Sequence, residues 1–141
     1  MIILDDHLLR DWMAAHDDQL IAAIATDDIA TTNLWYARLC KTAARATGGA
    51  VLHRWSATQR NALIGGLVAL PDEITVLPMR DLAWRMGQLA ANHTGLSMLG
   101  AEAVAASVAL NARLLVSSRD DGPGIRRCCG TLGVTYDALP R

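Results

Sequence analysis

Short apolar runs recur along this chain with a helical stretch between each pair. That alternation restricts the fold more than any other feature. Residues 1–4, 29–31, 74–77 and 113–117 read as strands, and each is bounded by acids, Pro or Gly. Between them lie segments with helical spacing and recognisable caps. Asp17 or Asp18 caps residues 19–25, and Thr32 or Asn33 caps a helix running to about Ala46 that Gly48-Gly49 ends. Ser56-Ala57-Thr58-Gln59 is a capping box, so a helix starts at Ala57 and ends before Pro71. Asp81 caps a helix with Leu82, Met86 and Leu89 in one stripe, and another runs near residues 97–111. Pro123 opens a last helix that closes at Gly133, and residues 134–136 add a short edge strand. Strands alternating with helices predict an α/β fold: a three-layer sandwich whose mostly parallel sheet has four or five strands, the first of them central.

Residues 1–141 read as a single domain with one core. The chain is 52% hydrophobic yet has no Phe, so that core is Ala, Leu, Val and Ile. No apolar run reaches the roughly 18 residues of a membrane span and no basic leader is present, which points to a cytoplasmic protein of a prokaryote. Cys40, Cys128 and Cys129 lack metal-ligand spacing and read as reduced, packed thiols. The chain has no phosphate loop, dinucleotide fingerprint, nucleophile elbow or zinc motif. His7, His16, His53 and His93 are scattered and read as surface or packing residues.

What remains is the acids. Asp5 and Asp6 stand at the carboxyl end of the first strand, and Asp120 and Asp121 follow the fourth. Ligands of an open α/β sheet bind at that end of the strands. Glu102 lies in a run of Gly, Ala and Val, where a charge needs a partner. Asp5, Glu102, Asp120 and Asp121 are therefore the candidate site, and converging carboxylates suit Mg²⁺ or Mn²⁺. Capping is the plainer role for two of these acids, Asp6 at the first helix and Asp120 before Pro123. Charge is also unevenly placed. Residues 1–28 hold seven acids against Arg10, whereas residues 29–71 hold no acid and five bases. Arg38, Lys41 and Arg45 share one helix face there and can form a phosphate-binding flank.

The order of these features resembles a PIN domain, the fold of metal-dependent ribonucleases that includes the VapC-type toxins of toxin–antitoxin pairs. The opening IILD, the segment IATTNLWYARL, and Glu102-Ala103-Val104-Ala105-Ala106 followed by LLVSSRDD and Leu132-Gly133-Val134 carry the resemblance. It implies a Mg²⁺- or Mn²⁺-dependent endoribonuclease, RNA as substrate with its backbone gripped by Arg38, Lys41 and Arg45, a cognate antitoxin as partner and a homodimer. Two departures stand out. Arg38 falls where the family has a glutamate in the helix after the second strand. Glu102 matches the third acid only with a small shift, and Gly100 takes that place in the alternative alignment. The alternative expectation is therefore a catalytically degenerate PIN-like protein acting through protein–protein contacts.

Overall fold

The computed structural model describes residues 1–14, 17–45 and 55–141. The elements run β1 (Ile2–Leu4), α1 (Asp6–Ala14), α2 (Asp18–Ile24), β2 (Ile29–Thr31), α3 (Asn33–Ala44), α4 (Ala57–Val68), β3 (Thr75–Val76), α5 (Met79–Asn92), α6 (Met98–Leu110), β4 (Arg113–Ser117), α7 (Pro123–Leu132) and β5 (Tyr136–Leu139). The five strands form one sheet in the order β3-β2-β1-β4-β5, and every pairing is parallel. β1 lies at its centre, with Ile3 opposite Ala30 on one side and Leu114 on the other.

Both faces of the sheet are covered, and the strand pleat assigns each side chain to a face. Ile3, Ala30, Leu114 and Val116 join a core with α5, α6 and α7. Ile2, Leu4, Ile29 and Leu115 join a second core with α1, α2 and α4. The third helix serves both, with Trp35 in the first core and Leu39 in the second. Near-continuous apolar strands are what a sheet buried on two faces requires. Cys128 and Cys129 are buried free thiols, and burial pushes the Cys129 thiol up to about 12.

The caps follow the sequence closely. Asp17 caps α2 and Thr32 caps α3, while Ser56 and Gln59 complete both bonds of the capping box on α4. The α3 helix closes at Ala44, before the Ala46 expected, and Gly48-Gly49 lie outside the described residues, as do His16 and His53. Two boundaries move. α5 starts at Met79 after Pro78, so Asp81 sits inside its first turn, where an acid favours the helix dipole, and does not cap it. β5 begins at Tyr136, where the expected edge strand ends, because its Tyr136 to Leu139 register against β4 is set by the αL turn at Gly133. No described helix is long and apolar enough to cross a membrane.

The start of α7 packs against the turn between α5 and α6. A Cβ at Gly124 would lie 2.3 Å from the Gly95 carbonyl oxygen and 3.0 Å from the Leu96 nitrogen, all backbone atoms. Gly124→Ala should lower stability by about 1–3 kcal/mol. Thermal unfolding checks this, with Gly130→Ala, where a Cβ meets nothing within 4 Å, as the neutral control.

Candidate acidic cleft

Parallel pairing brings the carboxyl ends of β1 and β4 side by side, and the acids after each strand meet there. Asp5 follows β1 and is fully buried. Its Oδ1 accepts from the Leu8 backbone N–H at 2.8 Å and its Oδ2 from that of Ser117, the last residue of β4, at 2.6 Å. Asp5 thus caps α1 and ties the two central strands together. Burial pushes its carboxyl up to about 6; hydrogen bonds from Ser117 and Leu8 oppose that rise, and the charge of Asp120 adds to it.

Because Asp5 does the capping, Asp6 is free to face the cleft. Its Oδ2 accepts from Arg38 Nε at 2.7 Å and its Oδ1 from Arg38 Nη2. Asp120 receives the same guanidinium, with Oδ1 3.0 Å from Nη1 and Oδ2 bonded to Nη2. One arginine from the second turn of α3 therefore clamps one acid from α1 and one from the turn after β4. Partial burial alone would weaken that charge, but hydrogen bonds to Asp6 and Asp120 hold the guanidinium even more firmly protonated than usual. His7 completes the cluster. Single donor atoms of Asp6, His7 and Asp120 all lie within 4.8 Å of one another, and among the described residues this is the group of that kind.

The remaining expected residues have other partners. Glu102 is fully buried at the start of α6. Its Oε1 accepts from the Asn33 backbone N–H at 3.0 Å and from Asn33 Nδ2 at 2.8 Å, and its Oε2 accepts from the Leu34 N–H at 2.8 Å. It binds the N-terminus of α3 from 69 residues away. Asp121 accepts from Arg126 and, at 2.8 Å, from the Tyr136 hydroxyl. The bond from Arg126, then that from Tyr136, hold its carboxyl below its ordinary value against burial. Lys41 is exposed one turn after Arg38 on α3, and Arg45, the residue that caps the end of α3, is exposed as well. Asp6 and His7 are the cleft residues that sequence reasoning left out. For Asp6 the sequence held a partial signal, since of two adjacent acids opening a helix only one can cap it; for His7 it held none.

A divalent cation asks for oxygen ligands with unsatisfied charge. Here both oxygens of Asp6 and both of Asp120 hold Arg38, while those of Asp5 and Glu102 hold backbone N–H groups. As arranged, Arg38 occupies the carboxylates of Asp6 and Asp120, so Asp6, His7 and Asp120 would hold Mg²⁺ or Mn²⁺ only with the guanidinium moved aside.

By sequence, no family model and no curated protein matches the chain. Solved structures do match its fold. A toxin–antitoxin complex from Klebsiella pneumoniae superposes with a TM-score of 0.60 at 15% identity, over 89% of this chain and 92% of that one. The sarcin–ricin loop cleaving toxin VapC20 of Mycobacterium tuberculosis gives 0.57 at 12% identity, over 90% and 94%. FitAcB from Neisseria gonorrhoeae gives 0.56 at 16% identity, over 96% of each chain. Each match spans nearly the whole of both chains, and the fold is shared: the chain has the PIN-like fold of these VapC-type structures.

Proposed function

We propose that this chain is a PIN-like ribonuclease, the toxin component of a toxin–antitoxin pair, and that RNA enters at the cleft of Asp5, Asp6, His7 and Asp120. The observation that carries the reading is the meeting of acids from β1 and β4 at the carboxyl edge of a VapC-type sheet. Exposed Lys41 lies on the helix that reaches this cleft through Arg38, exposed Arg45 caps that helix, and cations placed so can track a phosphate backbone. An antitoxin partner goes with this reading, since one structure of the same fold is a toxin–antitoxin complex; a homodimer and a cytoplasmic setting are part of the proposal.

Arg38 favours a second reading. A guanidinium bonded to both Asp6 and Asp120 neutralises the charge a hard cation needs and repels that cation at short range. The second reading is a degenerate PIN-like protein that works through its partners alone.

One experiment separates the two. Wild type, Arg38→Glu and Arg38→Glu with Asp120→Asn are assayed on single-stranded RNA with Mn²⁺, with Mg²⁺ and with EDTA, and their unfolding temperatures are recorded. The ribonuclease reading expects weak metal-dependent cleavage by wild type, increased on the order of tenfold or more by Arg38→Glu, together with an Mn²⁺-induced rise in unfolding temperature. Adding Asp120→Asn should remove both gains. Wild type without cleavage, beside an active Arg38→Glu, decides for the degenerate protein. Cleavage that persists in EDTA and in the double variant would move the chemistry out of this cleft.

A further inference from the structure

Arg38 holds Asp6 and Asp120 in a way that allows exchange. Among the described residues its guanidinium bonds those two carboxylates alone, through Nε and Nη2 to Asp6 and through Nη1 and Nη2 to Asp120. No backbone carbonyl anchors it, whereas Arg113 is tied to the Ala23 carbonyl as well as to Asp27. The Arg38 side chain is 32% exposed, against 6% for Asp6 and 16% for Asp120. The cation thus stands on the solvent side of the trio, with the acids beneath it. Ion pairs at such exposure are weak enough to trade partners. Asp5 and Glu102 are different. Their oxygens hold backbone N–H groups at helix starts and at the end of β4, and letting go would leave those donors unanswered. His7 offers a donor atom within 4.8 Å of an oxygen of both Asp6 and Asp120.

Charge counting shows what would drive the exchange. Two carboxylates and one guanidinium leave the trio with one negative charge. A divalent cation added beside them makes it one positive, and a phosphodiester taken up by Arg38 returns it to neutral. Each ligand therefore lowers the electrostatic cost of the other. The guanidinium fork also suits a phosphate as well as a carboxylate, two N–H groups to two oxygens. We propose that Arg38 is a latch that swings from Asp6 and Asp120 to the phosphate backbone of a bound RNA, and that this exchange opens Asp6, His7 and Asp120 to a divalent cation. This rests on the proposal that the cleft receives RNA, and it makes Arg38 a gate that keeps the cation out until RNA is in place. Without RNA the affinity for the cation is reduced by the small fraction of molecules with the latch open. The coupling is reciprocal: the factor by which RNA tightens the cation is the factor by which the cation tightens RNA.

The test is a Mg²⁺ titration of the isotope-labelled full chain, followed by NMR at the side-chain carboxyl carbons of Asp6 and Asp120 and at the Arg38 Nε–H. It is run without RNA, and with a short single-stranded RNA whose phosphorothioate linkages keep the charge and slow cleavage. RNA alone should move the Arg38 Nε–H. It should also lower the free Mg²⁺ concentration that half-saturates the two carboxyls by at least about tenfold, and saturating Mg²⁺ should tighten RNA binding by the same factor. Arg38→Ala should take up Mg²⁺ without RNA, and RNA should then add less than about twofold. Lys41→Ala should weaken RNA binding and leave the coupling factor as it is. Three results would each overturn the proposal: an Arg38 Nε–H unmoved by RNA, Mg²⁺ that reaches the two carboxyls equally well or not at all with and without RNA, or coupling that survives in Arg38→Ala. The first two are read on wild type, so they stand even where the variant does not fold. Coupled binding without cleavage of the unmodified RNA keeps the latch and removes the ribonuclease reading. Metal-dependent cleavage without coupling removes the latch alone.

Discussion

Glu102→Ala is expected to destabilise the protein by about 3–5 kcal/mol. The glutamate is 0% exposed and accepts three bonds at the start of α3, two of them from backbone N–H groups. Helix N-termini leave such donors without intrahelical partners. Thr32 answers only the Trp35 N–H, at 3.3 Å. Alanine would leave the Asn33 and Leu34 donors without this acceptor at a part-buried helix start, and Glu102's own place in the core empty. The loss should appear as a lower denaturant midpoint at unchanged slope. A cost below about 1 kcal/mol would refute the capping role assigned here. Glu102→Gln keeps the shape and one oxygen, and should cost less than Ala.

The second large effect follows from Asp5. Its carboxyl is raised from 3.8 to about 6, first by burial. A folded-state value above the unfolded one means that the folded protein binds the proton more tightly. Its contribution is most favourable below about pH 4 and is lost as pH rises to about 6. At about 1.4 kcal/mol per unit, the loss approaches 3 kcal/mol. The stability of wild type minus that of Asp5→Asn should therefore fall by about 2 kcal/mol between about pH 4 and about pH 6, and by about 3 kcal/mol over the whole titration, since asparagine cannot titrate. The Asp5 carboxyl carbon should titrate with its midpoint near 6. A flat difference across that interval would show that Asp5 stays ionised throughout. Charge at this position thus opposes stability at neutral pH, the signature of a group kept for position and chemistry.

The fold was largely legible because it is written in short-range signals. Residues 1–4 are apolar on both faces, so the first strand had to lie inside the sheet. Ser56 with Gln59, Asp17 and Pro123 marked helix starts within a residue. The edge strand was harder. Tyr136, Asp137, Ala138 and Leu139 are half-buried or exposed, so burial imprints little pattern on them. At the site, sequence located the neighbourhood but not the partners. Which of Asp5 and Asp6 caps α1 depends on the Ser117 N–H, 112 residues away. Arg38 could be read as standing in a glutamate's place, but its bidentate grip on Asp6 and Asp120 is set by three separate elements meeting. His7 carries no orienting motif in its own segment. Its place beside Asp6 and Asp120 exists only once the sheet has closed.

The central pairing of β1 with β4 also governs when these groups come into being. β1 leaves the ribosome first, yet its partner lies more than a hundred residues on, and the Asp5–Ser117 bond spans that separation. Contacts so distant in sequence form late, because the chain entropy of closing the loop opposes them until most of the molecule is available. During synthesis the first strand can pair with β2 alone, and Asp120 has yet to emerge. The cleft therefore has no partial form. A nascent or interrupted chain holds Arg38 and Asp6 without the acid that completes them, and whatever the finished cleft binds is out of its reach until Asp120 has been made and β4 has paired with β1.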